Sequence, residues 1–142
     1  MRLAIGSDHA AFREKQILIK YLNKLELKVL DFGTDSEDSV DYPIFGQKVA
    51  KSIINNIADR GIIICGSGIG ISIAANRFKG IRAALCSSEF HAKMSRKHND
   101  SNVLALGSRT TDIDLLKKIV KVWLETDFEG GRHQNRLNML DE

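Results

Sequence analysis

The string GIIICGSGIGISI at residues 61–73 joins an unbroken apolar run to three alternating glycines and then to a second apolar pattern. The run from Gly61 to Cys65 predicts a strand buried on both faces, as in a parallel sheet. The apolar residues that follow Gly70 predict a helix. A strand, a glycine-rich turn and a helix in this order indicate a parallel α/β sheet, with the turn at its carboxyl edge.

Further apolar runs occur along the chain, and segments with helical periodicity separate them. The runs are Leu3–Ile5, Val29–Phe32, Ile81–Cys86 and Val103–Leu106. We therefore predict one domain over residues 1–142, an α/β three-layer Rossmann-like sandwich. Its five-stranded parallel sheet is expected in the order 2-1-3-4-5, with helices on both faces and a C-terminal helix from about Gly131 to Leu140.

Composition and charge limit the partners that this chain can have. It carries 21 Lys and Arg against 18 Asp and Glu, a formal charge of +3, and these charges are mixed along its 142 residues. Because no basic stripe is present, we expect no nucleic acid as a partner. No signal peptide and no apolar run of roughly 18 residues stands out, so we expect no membrane segment and a cytoplasmic protein. The two cysteines do not form a disulfide framework, and both thiols should be free.

The most reactive side chains follow the first and third predicted strands. Ligands of such sheets bind beyond the carboxyl ends of the strands, where the strand order reverses. Asp8 and His9 follow the first strand, and Cys65 and Ser67 lie at the end of the third. Cys65 beside backbone amides is a candidate thiolate, either a base or a nucleophile. The amides of a glycine-rich turn can converge on a phosphate or a developing oxyanion, and the glycines here are Gly66, Gly68 and Gly70.

Basic residues elsewhere are further candidates for binding an anion. Arg132 and Arg136 are four residues apart and could clamp a dianion, although a solvated basic face has the same spacing. Arg109 follows the last strand, on the ligand side of the sheet. His98 lies in a polar segment, where a catalytic and a solvated histidine are equally compatible with the sequence. The histidines show no close ligand pairing along the chain, so no metal is expected.

Other chemistries fit the glycine loop poorly. A dinucleotide-binding loop requires glycine at positions 66, 68 and 71, but Ile71 stands at the last of them. The sequence contains no P-loop string, and no Arg closes a loop after Cys65 or Cys86 as a thiol phosphatase requires. A nucleotide- or flavin-binding module with the same fold is the non-enzymatic alternative.

Short motifs follow one another along nearly the whole chain. They are Gly6–Ala10, Asp41–Pro43, Cys65–Gly70, Ala74–Arg77, Gly80–Ala84, His98–Val103 and Phe128–His133. Each motif is weak alone, but the ordered set resembles the ribose-5-phosphate isomerase B family, with its galactose- and allose-6-phosphate isomerase relatives.

The resemblance implies a role for each candidate residue. Cys65 would be the base that moves a proton between C1 and C2 through an enediolate, whose oxygens Ser67 and the amides of Gly66 to Gly70 would hold. His98, with Asp8 nearby, would help to open the sugar ring. The phosphate would be bound by His9, Arg109, Arg132 and Arg136, and the sugar site would be lined by Tyr42 and Asn99.

The resemblance also implies a substrate and an assembly. It predicts an aldose–ketose isomerase of the non-oxidative pentose phosphate pathway that needs no cofactor, with ribose 5-phosphate as its substrate. Allose 6-phosphate and galactose 6-phosphate are the alternatives. Family members are dimers or dimers of dimers, so we expect a homodimer or tetramer with sites at the subunit interface. Many members carry Thr where this chain has Ser67. Compared with Thr, Ser67 keeps the hydroxyl and lacks the methyl group.

Overall fold

The predicted alternation of strands and helices is confirmed by the computed structural model, which describes residues 1–141. The strands are β1 (Arg2–Ser7), β2 (Lys28–Asp31), β3 (Arg60–Cys65), β4 (Ala83–Leu85) and β5 (Val103–Gly107). The helices are α1 (Phe12–Lys24), α2 (Tyr42–Ile54), α3 (Ile69–Ala75), α4 (Glu89–Asn99), α5 (Ile113–Glu125) and α6 (Arg132–Leu137). A short 3-10 turn, His9–Ala11, joins β1 to α1.

The strands form one parallel sheet in the order β2-β1-β3-β5-β4. The predicted order 2-1-3-4-5 is wrong in its last two strands, because β5 lies beside β3 and β4 lies at the edge. The side chains of Val103–Leu106 in β5 are fully buried, as a strand with a neighbour on each side requires. β4 has three residues and stays partly exposed, which suits an edge position.

Apolar layers cover both faces of the sheet, which confirms the three-layer sandwich. On one face α1, α4 and α5 pack against the strands, with Trp123 and Ile62 in this layer. On the other face α2 and α3 pack against the strands, with Ile71 and Ile63 in that layer. Because successive strand residues point to opposite faces, Cys65 shares the α2 and α3 side with Ile63.

The last helix is shorter than the sequence predicts. α6 covers Arg132–Leu137 instead of about Gly131 to Leu140, because Gly131 caps the helix with a φ of +59° and residues 138–141 form turns. Within residues 1–141, no helix combines the length and the hydropathy that crossing a bilayer requires.

Strand direction divides the remaining polar residues between two edges of the sheet. Since the strands are parallel, residues that follow a strand lie at the carboxyl edge and residues that precede one lie at the amino edge. α4 begins after β4 and ends before β5, so His98 and Asn99 lie at the amino edge. α6 packs against this part of the molecule, where the rings of His133 and His98 are in contact. β5 has five residues, so roughly 13 Å separates its two ends.

Candidate active site

An open cleft of about 510 Å³ lies at the carboxyl edge, where the strand order reverses between β1 and β3. A volume in this range suits a small organic ligand. The cleft is formed by the end of β1, the start of α2 and the loops that follow β3 and β5. Its lining residues are Asp8, Tyr42, Cys65, Gly66, Ser67, Ile69, Gly70, Arg109 and Thr110.

Cys65 is the thiol of this cleft. It ends β3, and 5% of the residue is exposed. The backbone N–H of Gly68 donates to Cys65 Sγ at 3.1 Å. A backbone donor of this kind supports negative charge on sulfur in place of water. Cys65 therefore has the position and the partner of a thiolate that could exchange a proton with a bound ligand.

The loop between β3 and α3 is held by the loop that follows β5. The N–H of Ser108 donates to the carbonyl oxygen of Cys65 at 2.9 Å, and the N–H of Arg109 donates to that of Gly66 at 2.9 Å. These bonds depend on the register of β5 beside β3, in which Gly107 lies opposite Cys65. The strand order that the sequence did not predict therefore positions the glycine loop.

Two amides of the predicted anion hole are engaged within the loop. The N–H of Gly68 donates to Cys65 Sγ, and the N–H of Ile69 donates to Ser67 Oγ at 3.2 Å. An oxyanion bound here would take its donors from the Ser67 hydroxyl, from the other loop amides, or from these two after they exchange partners.

Two side chains lie directly against the glycines of the loop. The ring of Tyr42 packs on Gly70, where a Cβ atom would come within 2.5 Å of it. The side chain of Arg109 lies over Gly66, where a Cβ atom would be 3.4 Å from Nη1. The absence of a side chain at Gly70 lets the phenol of Tyr42 approach the backbone, whereas Gly66 would leave room for a Cβ atom beside Arg109. The phenol and the guanidinium give the cleft polar groups suited to a hydroxylated anion.

Asp8 adds a carboxylate to the same cleft. The residue is 7% exposed, and its Oδ1 has no hydrogen-bond partner among residues 1–141. An acceptor buried without a partner costs free energy, so we expect Asp8 to accept a hydrogen bond from a ligand hydroxyl.

His9 lies beside Asp8, and its ring Nδ1 is 3.1 Å from the backbone nitrogen and 3.2 Å from the carbonyl oxygen of Val40. Its Nε2 is the ring atom left for a ligand.

The remaining predicted residues, His98, Asn99, Arg132 and Arg136, lie at the amino edge. Asn99 lines a separate cavity of about 400 Å³ next to Arg82. Within one chain His98 is therefore not near Asp8, contrary to the expectation, because the length of β5 separates the two edges.

His98 belongs to a cluster that the sequence did not reveal. Its ring stacks on that of His133, with centroids 4.4 Å apart and planes inclined by 16°. Its Nε2 lies 3.8 Å from Oε1 of Glu129. Burial lowers the pKa of His133, and the nearby charges of His98, Arg132 and Arg136 lower it further. The expectation that the histidines are not paired is wrong for His98 and His133, because a helix contact joins residues that are far apart in sequence.

Cys86 takes no part in the cleft. Its thiol is buried beyond β4, 4.0 Å from Ser95 Oγ, and burial raises its pKa to about 11. It is therefore a neutral thiol at physiological pH.

Thr110 lines the cleft, but the sequence analysis did not identify it. Its position directly after Arg109, beyond the end of β5, was the feature that could have indicated it.

Comparison with known proteins gives consistent matches along the chain. A family model described as Ribose/Galactose Isomerase matches residues 3–140. Ribose-5-phosphate isomerase B of Escherichia coli strain K12 is 46% identical over 139 residues, which cover 98% of this chain and 93% of that protein.

Solved structures extend the similarity to the fold. Ribose-5-phosphate isomerase B from Clostridium thermocellum has a TM-score of 0.99 at 50% identity, covering 99% of this chain and 95% of that one. The corresponding protein from Thermotoga maritima has a TM-score of 0.97 at 48% identity, covering 99% and 97%. The ordered motifs, the thiol cleft and these matches agree, and the chain belongs to the ribose/galactose isomerase family.

Proposed function

We propose that this chain is an aldose–ketose isomerase that interconverts ribose 5-phosphate and ribulose 5-phosphate, a step of the non-oxidative pentose phosphate pathway. The observation that carries the proposal is the Cys65 sulfur, which lines a small cleft and accepts a hydrogen bond from the Gly68 amide. The names of the similar proteins support ribose 5-phosphate as the substrate. We assign the activity to one domain over residues 1–142 and to the cytoplasm, where free cysteines stay reduced.

The proposed chemistry moves a proton between two carbons and leaves the overall oxidation state of the sugar unchanged. The thiolate of Cys65 removes the proton from C2 of the open aldose, the electron pair moves onto the C1 oxygen, and the thiol returns the proton to C1. The Ser67 hydroxyl and the loop amides hold the enediolate oxygens, and a hydroxyl proton passes from O2 to O1. One oxyanion donor contributes about 2.7–4 kcal/mol, and positioned proton transfer about 10²–10⁴-fold, so both parts are needed.

The cleft of one chain supplies only part of this mechanism. Asp8 and Tyr42 would contact sugar hydroxyls, and His9 and Arg109 would contribute to the phosphate site. The other proposed residues lie at the amino edge of the same chain. They are His98 for ring opening, Arg132 and Arg136 for the phosphate, and Asn99 for the sugar. We infer that a second copy supplies them, in a homodimer or in a tetramer built from two such dimers.

Exposed apolar side chains around the cleft support this assembly. Ile69 and Ile73 lie one turn apart on the outer face of α3 and are 54% and 52% exposed. Leu85 ends β4 and contacts the position of Gly68, and Phe90 near the start of α4 is 67% exposed. A group of exposed apolar side chains is typical of an interaction site, and this group borders a cleft that lacks part of the proposed machinery.

Gly68 is a point at which the loop tolerates no side chain. Its φ is +78°, and a Cβ atom would lie 2.5 Å from Leu85 Cδ1 and 2.8 Å from the backbone carbon of Leu106. We expect Gly68→Ala to displace the N–H from Cys65 Sγ and to lower kcat/KM for ribose 5-phosphate by at least about tenfold, since the strained φ alone costs roughly 1–2 kcal/mol. Steady-state kinetics on the purified variant measures this.

Gly80→Ala is the matched control for Gly68→Ala. Gly80 has a φ of +86°, and a Cβ atom there would meet no atom of residues 1–141 within 4 Å. This variant should lose some stability and keep its turnover. Equal kcat/KM in the two variants would show that the shape of the loop is irrelevant to catalysis.

The proposed activity is tested by assaying the purified protein with ribose 5-phosphate, allose 6-phosphate and galactose 6-phosphate under the same conditions. We expect the highest kcat/KM with ribose 5-phosphate. A preference for either hexose phosphate would transfer the assignment to that alternative. A tightly bound flavin or nucleotide, with no turnover of any sugar phosphate, would favour the non-enzymatic binding module.

A further inference from the structure

His98, Glu129 and His133 each offer one metal-ligating atom, and these atoms lie within 4.8 Å of one another. Two imidazoles and one carboxylate are the ligand set of one class of zinc site, in which a fourth position stays open. The isomerisation proposed above uses no metal. We propose that this cluster, the His–Glu–His cluster, binds Zn²⁺, and that bound zinc inhibits the enzyme by withdrawing His98.

The distances within the cluster are close to those that zinc requires. Ligand atoms at 2.0–2.1 Å from a tetrahedral zinc lie about 3.3 Å apart. His98 Nε2 and Glu129 Oε1 are 3.8 Å apart, so this pair must close by roughly 0.5 Å. The widest pair, at no more than 4.8 Å, must close by up to about 1.5 Å.

Zinc binding must open the histidine stack, because two nearly parallel rings cannot both direct a lone pair at one metal ion. The His133 side chain is buried and cannot turn freely, with the residue 8% exposed. Within a single chain the side chains of His98 and Glu129 are 43% and 44% exposed, so their own chain leaves them room to turn. The backbone N–H of Glu129 donates to the carbonyl oxygen of Lys97 at 3.1 Å, which keeps the carboxylate beside the end of α4. The movement is therefore confined to two half-exposed side chains.

The charges around the cluster predict what fills the open position. Arg132 directly precedes His133 in α6, and Arg136 follows it by three residues on the same helix, so their positive charges oppose a bare dication. Glu129 offsets one of these charges. An anion as the fourth ligand would offset another and could pair with a guanidinium. The site therefore favours zinc that carries an anionic ligand such as chloride.

The test is a titration of the metal-stripped, full-length protein with zinc chloride, in competition with a chromophoric chelator. We expect about one zinc ion per chain, as one His–Glu–His cluster per chain predicts. Glu129→Gln and His98→Asn should each weaken binding at least about tenfold, since each replaces a zinc ligand with a weakly coordinating amide and even the loss of a group that supports a ligand costs about 10–100-fold. Glu125→Gln, which removes an exposed carboxylate at the end of α5, is the matched control and should bind zinc like the wild type.

Cys65 is the main competitor for zinc, and Cys65→Ala separates the two sites. Zinc binding should persist in Cys65→Ala if the His–Glu–His cluster holds the metal. Loss of binding in that variant, no stoichiometric binding in the wild type, or equal affinity of Glu129→Gln and Glu125→Gln would each overturn the proposal. These binding results do not depend on the proposed isomerase activity.

Inhibition is measured separately, and this part rests on the proposed function. Zinc should reduce turnover of ribose 5-phosphate by the wild type, and a chelator should restore it. Glu129→Gln should need at least about tenfold more zinc for the same fractional inhibition, in line with its weaker binding. If Glu129→Gln binds zinc weakly but is inhibited at wild-type concentrations, the inhibitory role is overturned.

Discussion

Cys65→Ala is expected to lower kcat for ribose 5-phosphate by at least about 10³-fold, because it removes the group that carries the proton between C1 and C2. The variant should still fold, since the sulfur makes one hydrogen bond to its own loop and otherwise lies in an apolar layer that an alanine methyl group can join. Steady-state kinetics gives the loss of turnover, and thermal unfolding with and without substrate shows that folding and binding persist.

Cys86→Ala is the control for the loss of a thiol. Cys86 is also buried directly after a strand, but the pKa of its thiol is raised to about 11 and it lies in the apolar layer on the other face of the sheet, outside the cleft lining. Its removal should therefore leave turnover near the wild-type level. A Cys65→Ala variant with kcat within tenfold of the wild type would assign the proton transfer to another group.

A hybrid dimer of Cys65→Ala with Arg136→Ala should recover about half of the wild-type activity, because a shared-site dimer keeps one intact site of two. Each homodimeric variant should be strongly defective. Arg136→Ala alone should lose about 10- to 150-fold in kcat/KM, as expected when a charge-assisted bond of roughly 1.5–3 kcal/mol to phosphate is removed. Co-expression with two affinity tags, tandem purification and assay at low substrate concentration give the measurement.

The hybrid of Cys65→Ala with Cys65→Ser is the matched control. Both changes lie in the carboxyl-edge cleft, so both sites stay defective and the hybrid should remain inactive whatever the arrangement of subunits. If the first hybrid is no more active than this control, the active site is not shared between chains, and the position of the phosphate clamp in the proposal is wrong.

Much of the fold follows from local sequence. The apolar run at Gly61–Cys65 and the glycines after it predict a buried strand and a turn, because burial periodicity and backbone freedom are properties of a few neighbouring residues. The rule that parallel sheets bind ligands at their carboxyl edge then places Asp8, Cys65 and Ser67 in one cleft, as the structure has them. The roles of these residues in catalysis are a proposal for the experiments above.

The sequence by itself determined the element order, the three-layer class and the placement of Asp8, Cys65 and Ser67 in one cleft, since each depends on short-range pattern. Tertiary structure alone decided that β5 lies between β3 and β4. The apolar runs that form β4 and β5 are similar in composition, and only the folded sheet shows that β5 has a neighbouring strand on each side. It also decided that His98 meets Glu129 and His133 and lies far from Asp8. Such contacts depend on which helices pack together and on the length of the strand between two edges, and no local pattern encodes either.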